Sequence, residues 1–362
     1  MSWTITRQDL LDLAYGAALL GSGGGGDPYI GRLMTERALA RGRTVTVWSL
    51  DEVPDDGLVI ATAMMGAPTV MVEKIPSGTE GIAALRALEE HLGRRAAATI
   101  PMECGGLNST LPLVVAAEAG IPVLDADGMG RAFPELQMET FGVFGVSGSP
   151  MAIANEHGDV TMVMARDNWA MEWLARGICV RMGGAAMIAE YSMPGAVARR
   201  VSIPGTLTLG ISLGAAVRQT RKQHGDPLAG IAGALAAASY HGPRLLFEGK
   251  VEDVFRQTTE GFVKGHARIR GYGSAGLLQI AFQNENLIAE VDGELLAVVP
   301  DLICILAAET AEPITTEGLR YGQRVTVVSI TPPEIMRTPA ALDVFGPAAF
   351  GLSASYSPST LG

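Results

Sequence analysis

Cysteine is scarce in this sequence, with only Cys104, Cys179 and Cys304 among 362 residues. The three are far apart, odd in number and form no CxxC pair. That pattern excludes a disulfide framework and a cysteine zinc knuckle, and it fits a reducing compartment. Basic charge is short as well. Lys and Arg total 27 against 38 Asp and Glu, a formal net charge of −11. The basic pairs Arg94-Arg95, Arg199-Arg200 and Arg221-Lys222 stand isolated. No basic stripe exists for nucleic acid, so no nucleic-acid partner is expected. Long apolar runs are missing too. The longest uncharged stretches, 58–72 and 141–155, contain Gly and Pro and fall short of a membrane span. The opening residues, MSWTITRQDLLDLAYG, carry acids early and lack the basic-then-apolar order of a signal peptide. A cytoplasmic protein with no membrane partner is the expectation.

What remains is a chain 48% hydrophobic but only 6% aromatic and 18% charged. Small apolar residues and 45 glycines dominate. Such a chain can bury a sizeable core and is not disordered. Its length suggests two domains.

Thr6-Arg7-Gln8-Asp9 resembles a capping box and predicts a helix to about Leu20. Asp27 and Pro28 are an N-cap and a first helical residue, predicting a second helix to about Ala40. TVTVWSL (44–50) and GLVIATAMMG (57–66) read as strands, the second apolar enough to be covered on both faces. Helix, strand and helix follow over 79–92, 96–101 and 109–119, then a buried strand, IPVLDADG (121–128). This alternation predicts a three-layer α/β domain on a mainly parallel sheet. Residues 149–165 read as a hairpin with His157-Gly158-Asp159 in its turn. Helical stretches are expected over 167–190 and 206–239, the latter broken near Gly225-Asp226-Pro227. Its small residues favour close helix packing, including packing between subunits of a homo-oligomer. From 244 to 330 short strands and turn residues, NEN and VDGE among them, predict a β-barrel-like or sandwich unit. The boundaries are an α/β domain over 1–168 and a β-rich domain with a helical lead-in over 169–362.

Three loops carry chemistry. GSGGGGDP (21–28) sits between two helices, so it is no floppy linker. Gly24, Gly25, Gly26 and Asp27 precede a helix N-terminus, where free amides attract anions. The run serves as an oxyanion or carboxylate cradle, as a loop pressed against a substrate, or as a tight packing corner. It lacks the Lys of a Walker loop and does not follow a strand as a Rossmann turn does. PMECGGLNS (101–109) follows a strand. It places Glu103, Gly105, Gly106 and Asn108 at the C-terminal edge of the sheet, where ligands gather in open α/β sheets. Cys104 has no identifiable His partner and reads as an inert thiol. DADGMGRAFPELQM (125–138) puts Asp125, Asp127, Arg131 and Glu135 on the same edge. Two carboxylates beside an arginine suit a base, a charge partner and a substrate anchor, or oxygen ligands for a metal. The alternative is a plain acidic turn. Five histidines without HxH or HExxH spacing signal no zinc site, and the sequence names no cofactor.

Five stretches in order, GSGGGGDP, GGLNS, DADGMGRAFPELQM, EGKVEDVFRQTTEGF and PITTEGLRYGQRV, resemble the S-methyl thiohydantoin desulfurase family over nearly the whole chain. Ser22 stands where that family more often has Thr. The resemblance implies an N-terminal α/β domain, a C-terminal β-barrel-like domain and an enzyme that hydrolyses the C–S bond of an S-methylated thiohydantoin. A related hydantoin-like ring is the broader substrate class. It assigns no catalytic residue. Chemistry suggests Asp127 as base, Asp125 or Glu103 as its orienting partner, and Arg131 holding a substrate carboxylate. The Gly24–Gly26 amides would hold the ring or its acid tail. Competing readings are a nucleotide- or acyl-phosphate-binding enzyme, a metalloenzyme, and an accessory subunit of a hydantoinase-type system.

Overall fold

The computed structural model describes residues 2–67, 70, 74, 76–259 and 262–360. Glu260 and Gly261, inside the motif EGKVEDVFRQTTEGF, lie outside the described residues. Helix α1, Arg7–Leu20, begins at the capping box read from the sequence. Asp9 N donates to Thr6 Oγ1 at 3.2 Å and Thr6 N to Asp9 Oδ2 at 2.8 Å. Helix α2, Pro28–Ala40, opens on Pro28, with Asp27 accepting from Tyr29 N at 2.9 Å. Helices α3 (Glu80–Leu92) and α4 (Leu111–Ala119) follow. Each ends on a left-handed glycine, Gly93 and Gly120.

The first sheet has eight strands. In chain order they are β1 (Trp3–Thr4), β2 (Thr46–Trp48), β3 (Leu58–Gly66), β4 (Ala98–Pro101) and β5 (Val123–Leu124). The hairpin β7 (Met151–Ala154) and β8 (Val160–Val163) and strand β9 (Ala185–Pro194) complete it; β6 (Ala126–Asp127) belongs to a separate small ladder. The spatial order is β1-β2-β5-β4-β3-β9-β7-β8. Strands β2, β5, β4 and β3 form the parallel core. The flanking strands pair antiparallel. Along β3, Leu58, Ile60 and Met64 meet Leu85 and Leu88 of α3 and Leu111 and Val115 of α4. Val59, Ala61, Ala63 and Met65 face the opposite core with Phe133, Met171, Ala175 and Val201. Both faces are covered, which is why every residue of this strand up to Met65 is buried.

Two expectations change. The helix expected over 167–190 stops early: after the one-turn α5 (Thr140–Val143), α6 covers Asn168–Arg181. Gly183 and Gly184, at φ of 90° and 86°, end that segment. AAMIAEYSMP then runs as β9 between β3 and β7. A strand buried on both faces is apolar at nearly every position, so periodicity cannot separate it from a buried helix. The strand expected over 121–128 divides at Asp125. Its second part, β6, leaves the main sheet and pairs with β10 (Ile203–Pro204), which follows α7 (Gly195–Val201). The break near 225–227 is found: α8 spans Thr206–Lys222 and α9 Pro227–Ala236, with Asp226 accepting from Leu228 N. The small residues of α8 pack within this chain. A Cβ on Gly16 would lie 2.0 Å from Gly210 O, and one on Gly214 would lie 2.0 Å from Asp12 O.

The second sheet is antiparallel throughout and curls into a half-barrel. Its strands are β11 (His241–Thr259), β12 (Phe262–Gly271), β13 (Leu277–Gln283), β14 (Glu285–Val291), β15 (Glu294–Val298), β16 (Leu302–Ala307) and β17 (Arg324–Thr331). NEN and VDGE are turns as read, with Asn284, Asp292 and Gly293 at positive φ. Helix α10, Pro339–Phe345, returns to the first layer, where the Phe345 and Phe133 rings lie 4.8 Å apart. Among the described residues no helix is long and apolar enough to cross a membrane.

Candidate active site

The glycine corner, the loop after β4 and the loop after β5 meet. Leu107 N donates to Gly25 O at 2.8 Å, and Ala132 N reaches Leu20 O at 3.4 Å. The turn between β13 and β14 closes the fourth side. Asn286 N donates to Ser22 O at 2.8 Å, and Gly25 N donates to Glu285 Oε1 at 3.0 Å. Glycine is required where these backbones touch. A Cβ on Gly24 would stand 2.2 Å from Glu285 Oε1, and one on Gly106 would stand 2.2 Å from Gly25 O. Gly106 also holds φ of 62°. Gly106→Ala should therefore cost roughly 3 kcal/mol, combining left-handed strain with overpacking. Gly120 has φ of 70° and open space around it. Gly120→Ala should cost only about 1 kcal/mol. Equal shifts in the urea midpoints of the two variants would refute the contact argument.

At this junction a cleft enclosing about 510 Å³, counting the part open to solvent, runs between the two sheets. Its polar wall is Gly25, Glu103, Asn108, Glu135, Arg176 and Glu285. Met64, Met65, Met102, Met129 and Phe133 supply the apolar wall. Glu103 comes from the end of β4 and accepts from Asn108 Nδ2 at 2.7 Å on Oε1. Asn108 is itself fixed by the β3 backbone, taking Met64 N at 2.7 Å and giving to Met64 O at 3.0 Å. Glu103 Oε2 and Glu285 Oε2 are buried without an ordinary hydrogen-bond partner. Burial pushes the Glu103 carboxyl well above the usual range, and the neighbouring Glu285 pushes it further. Burial likewise raises Glu285, to about 8, while Arg131 and the Gly25 amide pull it back.

Asp127 is fully buried and does not line the cleft. Its Oδ2 accepts from Cys104 N at 2.7 Å and Gly130 N at 2.8 Å, tying the two acid loops together. Burial raises its carboxyl to about 7 against those bonds. Asp125 is held elsewhere: both its oxygens accept from Thr208, N at 3.0 Å and Oγ1 at 2.5 Å, in the first turn of α8. Arg131 points inward, with no solvent exposure. Its guanidinium donates to the carbonyls of Asp301 at 2.6 Å, Asn286 at 3.0 Å, Ala132 at 3.1 Å and Pro300 at 3.4 Å. It thereby stitches the acid loop to the second sheet. Gly24, Gly26, Gly105 and Gly106 shape the corner without lining the cleft, and Asp27 caps α2. Burial and Asp127 push the Cys104 thiol well up, so it is a protonated, shielded group.

The sequence gives no warning of Glu285, which stands in a turn motif, or of Arg176 on α6. Arg176 is paired with Glu172 at 2.6 Å and donates to Pro134 O at 3.0 Å, while Glu172 accepts from Leu136 N at 3.1 Å. Together they pin the Pro134–Leu136 rim. Glu139 and Glu190, from the segment after the acid loop and from β9, are also wholly buried, with no hydrogen bond from the described residues to any of their four carboxyl oxygens. Burial pushes both well up. Among the described residues no group of three or more His, Cys, Asp or Glu side chains is disposed to hold a metal ion.

These carboxyls keep their protons in the native state at pH values where the unfolded chain has lost them. The stability tied to that protonation is complete below about pH 4 and is lost as pH rises through about 7 and 8, the values for Asp127 and Glu285. The melting temperature should fall between about pH 5 and pH 8. A thermal melt series in which it rises over that window would mean the cluster is ionised when folded.

The sequence matches the family model described as S-Me-THD-like, N-terminal domain, over residues 8–165. It matches S-Me-THD-like, C-terminal domain, over residues 165–359. No curated protein matches significantly. A crystal structure of a protein from Chromobacterium violaceum is similar in fold, with 24% identity and a TM-score of 0.80. The match covers 99% of this chain and 100% of that one.

Proposed function

The chain belongs to the S-Me-THD-like family, and from that premise we propose that its cleft hydrolyses the C–S bond of an S-alkylated thiohydantoin or a closely related ring. One observation carries the reading. Glu103 and Glu285, two buried carboxyls each with an oxygen that lacks an ordinary hydrogen-bond partner among the described residues, line a cleft whose other wall holds four methionines. Thioether side chains are soft and adaptable, a fitting surface for a ring bearing a methylthio group. A phosphate-bearing ligand is disfavoured because the lining arginine, Arg176, is already committed to Glu172 and to Pro134 O.

The two carboxyls divide the work because their surroundings push them apart. Glu285 is the more acidic of the pair, favoured by Arg131 and the Gly25 amide, and serves as base. Glu103 keeps its proton and serves as acid. Water adds to the ring carbon that bears sulfur. Glu285 takes the water proton while Glu103 protonates the ring nitrogen. In the tetrahedral adduct the hydroxyl proton returns to Glu103 as the carbonyl forms. The C–S bond breaks, and the departing thiolate takes the proton from Glu285. Both carboxyls are restored, and the net change is ring plus water to oxo-ring plus thiol. A thiol ionises near pKa ~8.5, so sulfur can leave as the anion, whereas the ring nitrogen would need a second proton to leave and Glu103 supplies only one. In this reading Asp127 and Arg131 are positioning residues, and Asp125 is a helix cap.

The test is thiol release. Purified protein is incubated with a 2-methylthio hydantoin-type ring and a thiol-reactive chromophore. Release well above the buffer rate is expected. Intact rings after long incubation, across methylthio and free thio substrates, would sink the proposal.

A further inference from the structure

Helix α6 leaves two large aromatic side chains in solvent. It buries Met171, Ala175 and Cys179 on one face. On the other, Trp169 is 54% and Trp173 76% exposed, one turn apart at i and i+4. An exposed apolar patch of this kind marks a binding surface. The two indoles, with Leu174, Val180 and Phe262, line a groove of about 2290 Å³, counting the part open to solvent. The groove adjoins the cleft, since Glu135 and Arg176 line both. A substituent that extends past these two residues from a ring between Glu103 and Glu285 enters the groove.

The junction does not favour a charged substituent. The Arg176 charge is balanced by Glu172 at 2.6 Å, and its guanidinium lies over the Phe262 ring at 4.7 Å. Glu135 accepts from Gln137, and burial raises its carboxyl. Asp159 accepts from Asn155 Nδ2 at 2.8 Å. Beyond the junction the groove offers mainly aromatic and aliphatic surface, with Asp159 and Arg181 also on its wall.

We propose that the Trp169–Trp173 groove is a second subsite for an apolar or aromatic substituent on the ring held in the cleft. The natural substrates are then rings with an extended apolar side chain rather than bare rings. This rests on the ring-binding reading of the cleft.

The probes are oxo-rings, which the proposed hydrolysis does not consume: hydantoin and 5-benzylhydantoin. Calorimetry and tryptophan fluorescence read their binding to the full-length protein, to Trp173→Ala and to Trp169→Ala/Trp173→Ala. Wild type should bind 5-benzylhydantoin at least tenfold more tightly than hydantoin. Trp173→Ala should cut that advantage severalfold and leave hydantoin affinity unchanged, while Trp173→Phe retains most of it. Both indoles are exposed, so unchanged melting temperatures are expected. Equal affinity for the two rings in wild type would overturn the subsite, as would an advantage that survives the double variant, or binding of neither ring. So would sedimentation showing a wild-type dimer that Trp173→Ala splits while the ring preference stays, since the groove would then be covered by a second copy. Thiol release without the aromatic preference sinks the subsite alone. The preference without thiol release sinks the hydrolytic reading and leaves the subsite standing.

Discussion

Glu285→Gln is expected to lower kcat/KM for ring hydrolysis by about 10³-fold, within the 10²–10⁴ range for loss of a general base. Gln is the chosen replacement because it keeps the acceptor for the Gly25 amide, 3.0 Å away, and removes only the proton-accepting charge. The pH profile separates this role from a structural one. Wild-type kcat/KM should climb about tenfold per unit up to pH ~8, where Glu285 ionises, and then level off. The residual rate of the variant should lack that climb. Stability gives an independent control. A neutral amide cannot become a buried charge, so Glu285→Gln should melt no lower than wild type near pH 9. A variant with wild-type turnover would remove Glu285 from the mechanism. A wild-type profile that falls between pH 6 and pH 8 would reverse the assignment of acid and base.

Arg131→Met is expected to be the most destabilising single change in the acid loop, by about 3–5 kcal/mol, the cost of opening a buried polar network. The guanidinium satisfies carbonyls of Asn286, Pro300 and Asp301 on the second sheet and Ala132 on its own loop. Methionine fills much of the volume and leaves those oxygens buried without donors, each costing about 1–3 kcal/mol before relaxation. For a chain of this size the melting temperature should drop by roughly 4–7 °C. Arg131→Lys keeps one charge but lacks the planar fork, so its melting temperature should fall between the two. Losing the positive charge also removes the group that lowers Glu285. The midpoint of the kcat/KM climb should move to higher pH in Arg131→Met and stay close to its place in Arg131→Lys. An unchanged melting temperature for Arg131→Met would mean the guanidinium contributes no net stability. A midpoint that does not move would separate Arg131 from the site.

The two expectations share a cause that sequence reading met only halfway. The sequence placed Arg131 in a loop with carboxylates and suggested a substrate anchor. In the fold its donors are spent on backbone, because the loop must be joined to a sheet 155 or more residues further along the chain. Asp125 and Asp127 would face the same side of an extended chain, yet the break between β5 and β6 sends one to cap α8 and the other into the core. Glu103 and Asn108 were foreseen at the sheet edge because they follow a strand closely, and there the local rule sufficed.

The sequence by itself determined what depends on near neighbours: the caps at Thr6, Asp27 and Asp226, the parallel strands hidden on both faces, the turns at Asn284 and Asp292, and membership of the family. Those features follow from short-range sterics, hydrogen bonding to adjacent amides and apolar spacing. Tertiary structure alone decided that Glu285 stands against Gly25 across 260 positions of chain. It alone made β9 a central strand and buried Glu103 and Glu285 beside one cleft. The ionisation of a side chain is set by the dielectric and the charges that folding brings around it, and no residue carries that information in its own identity.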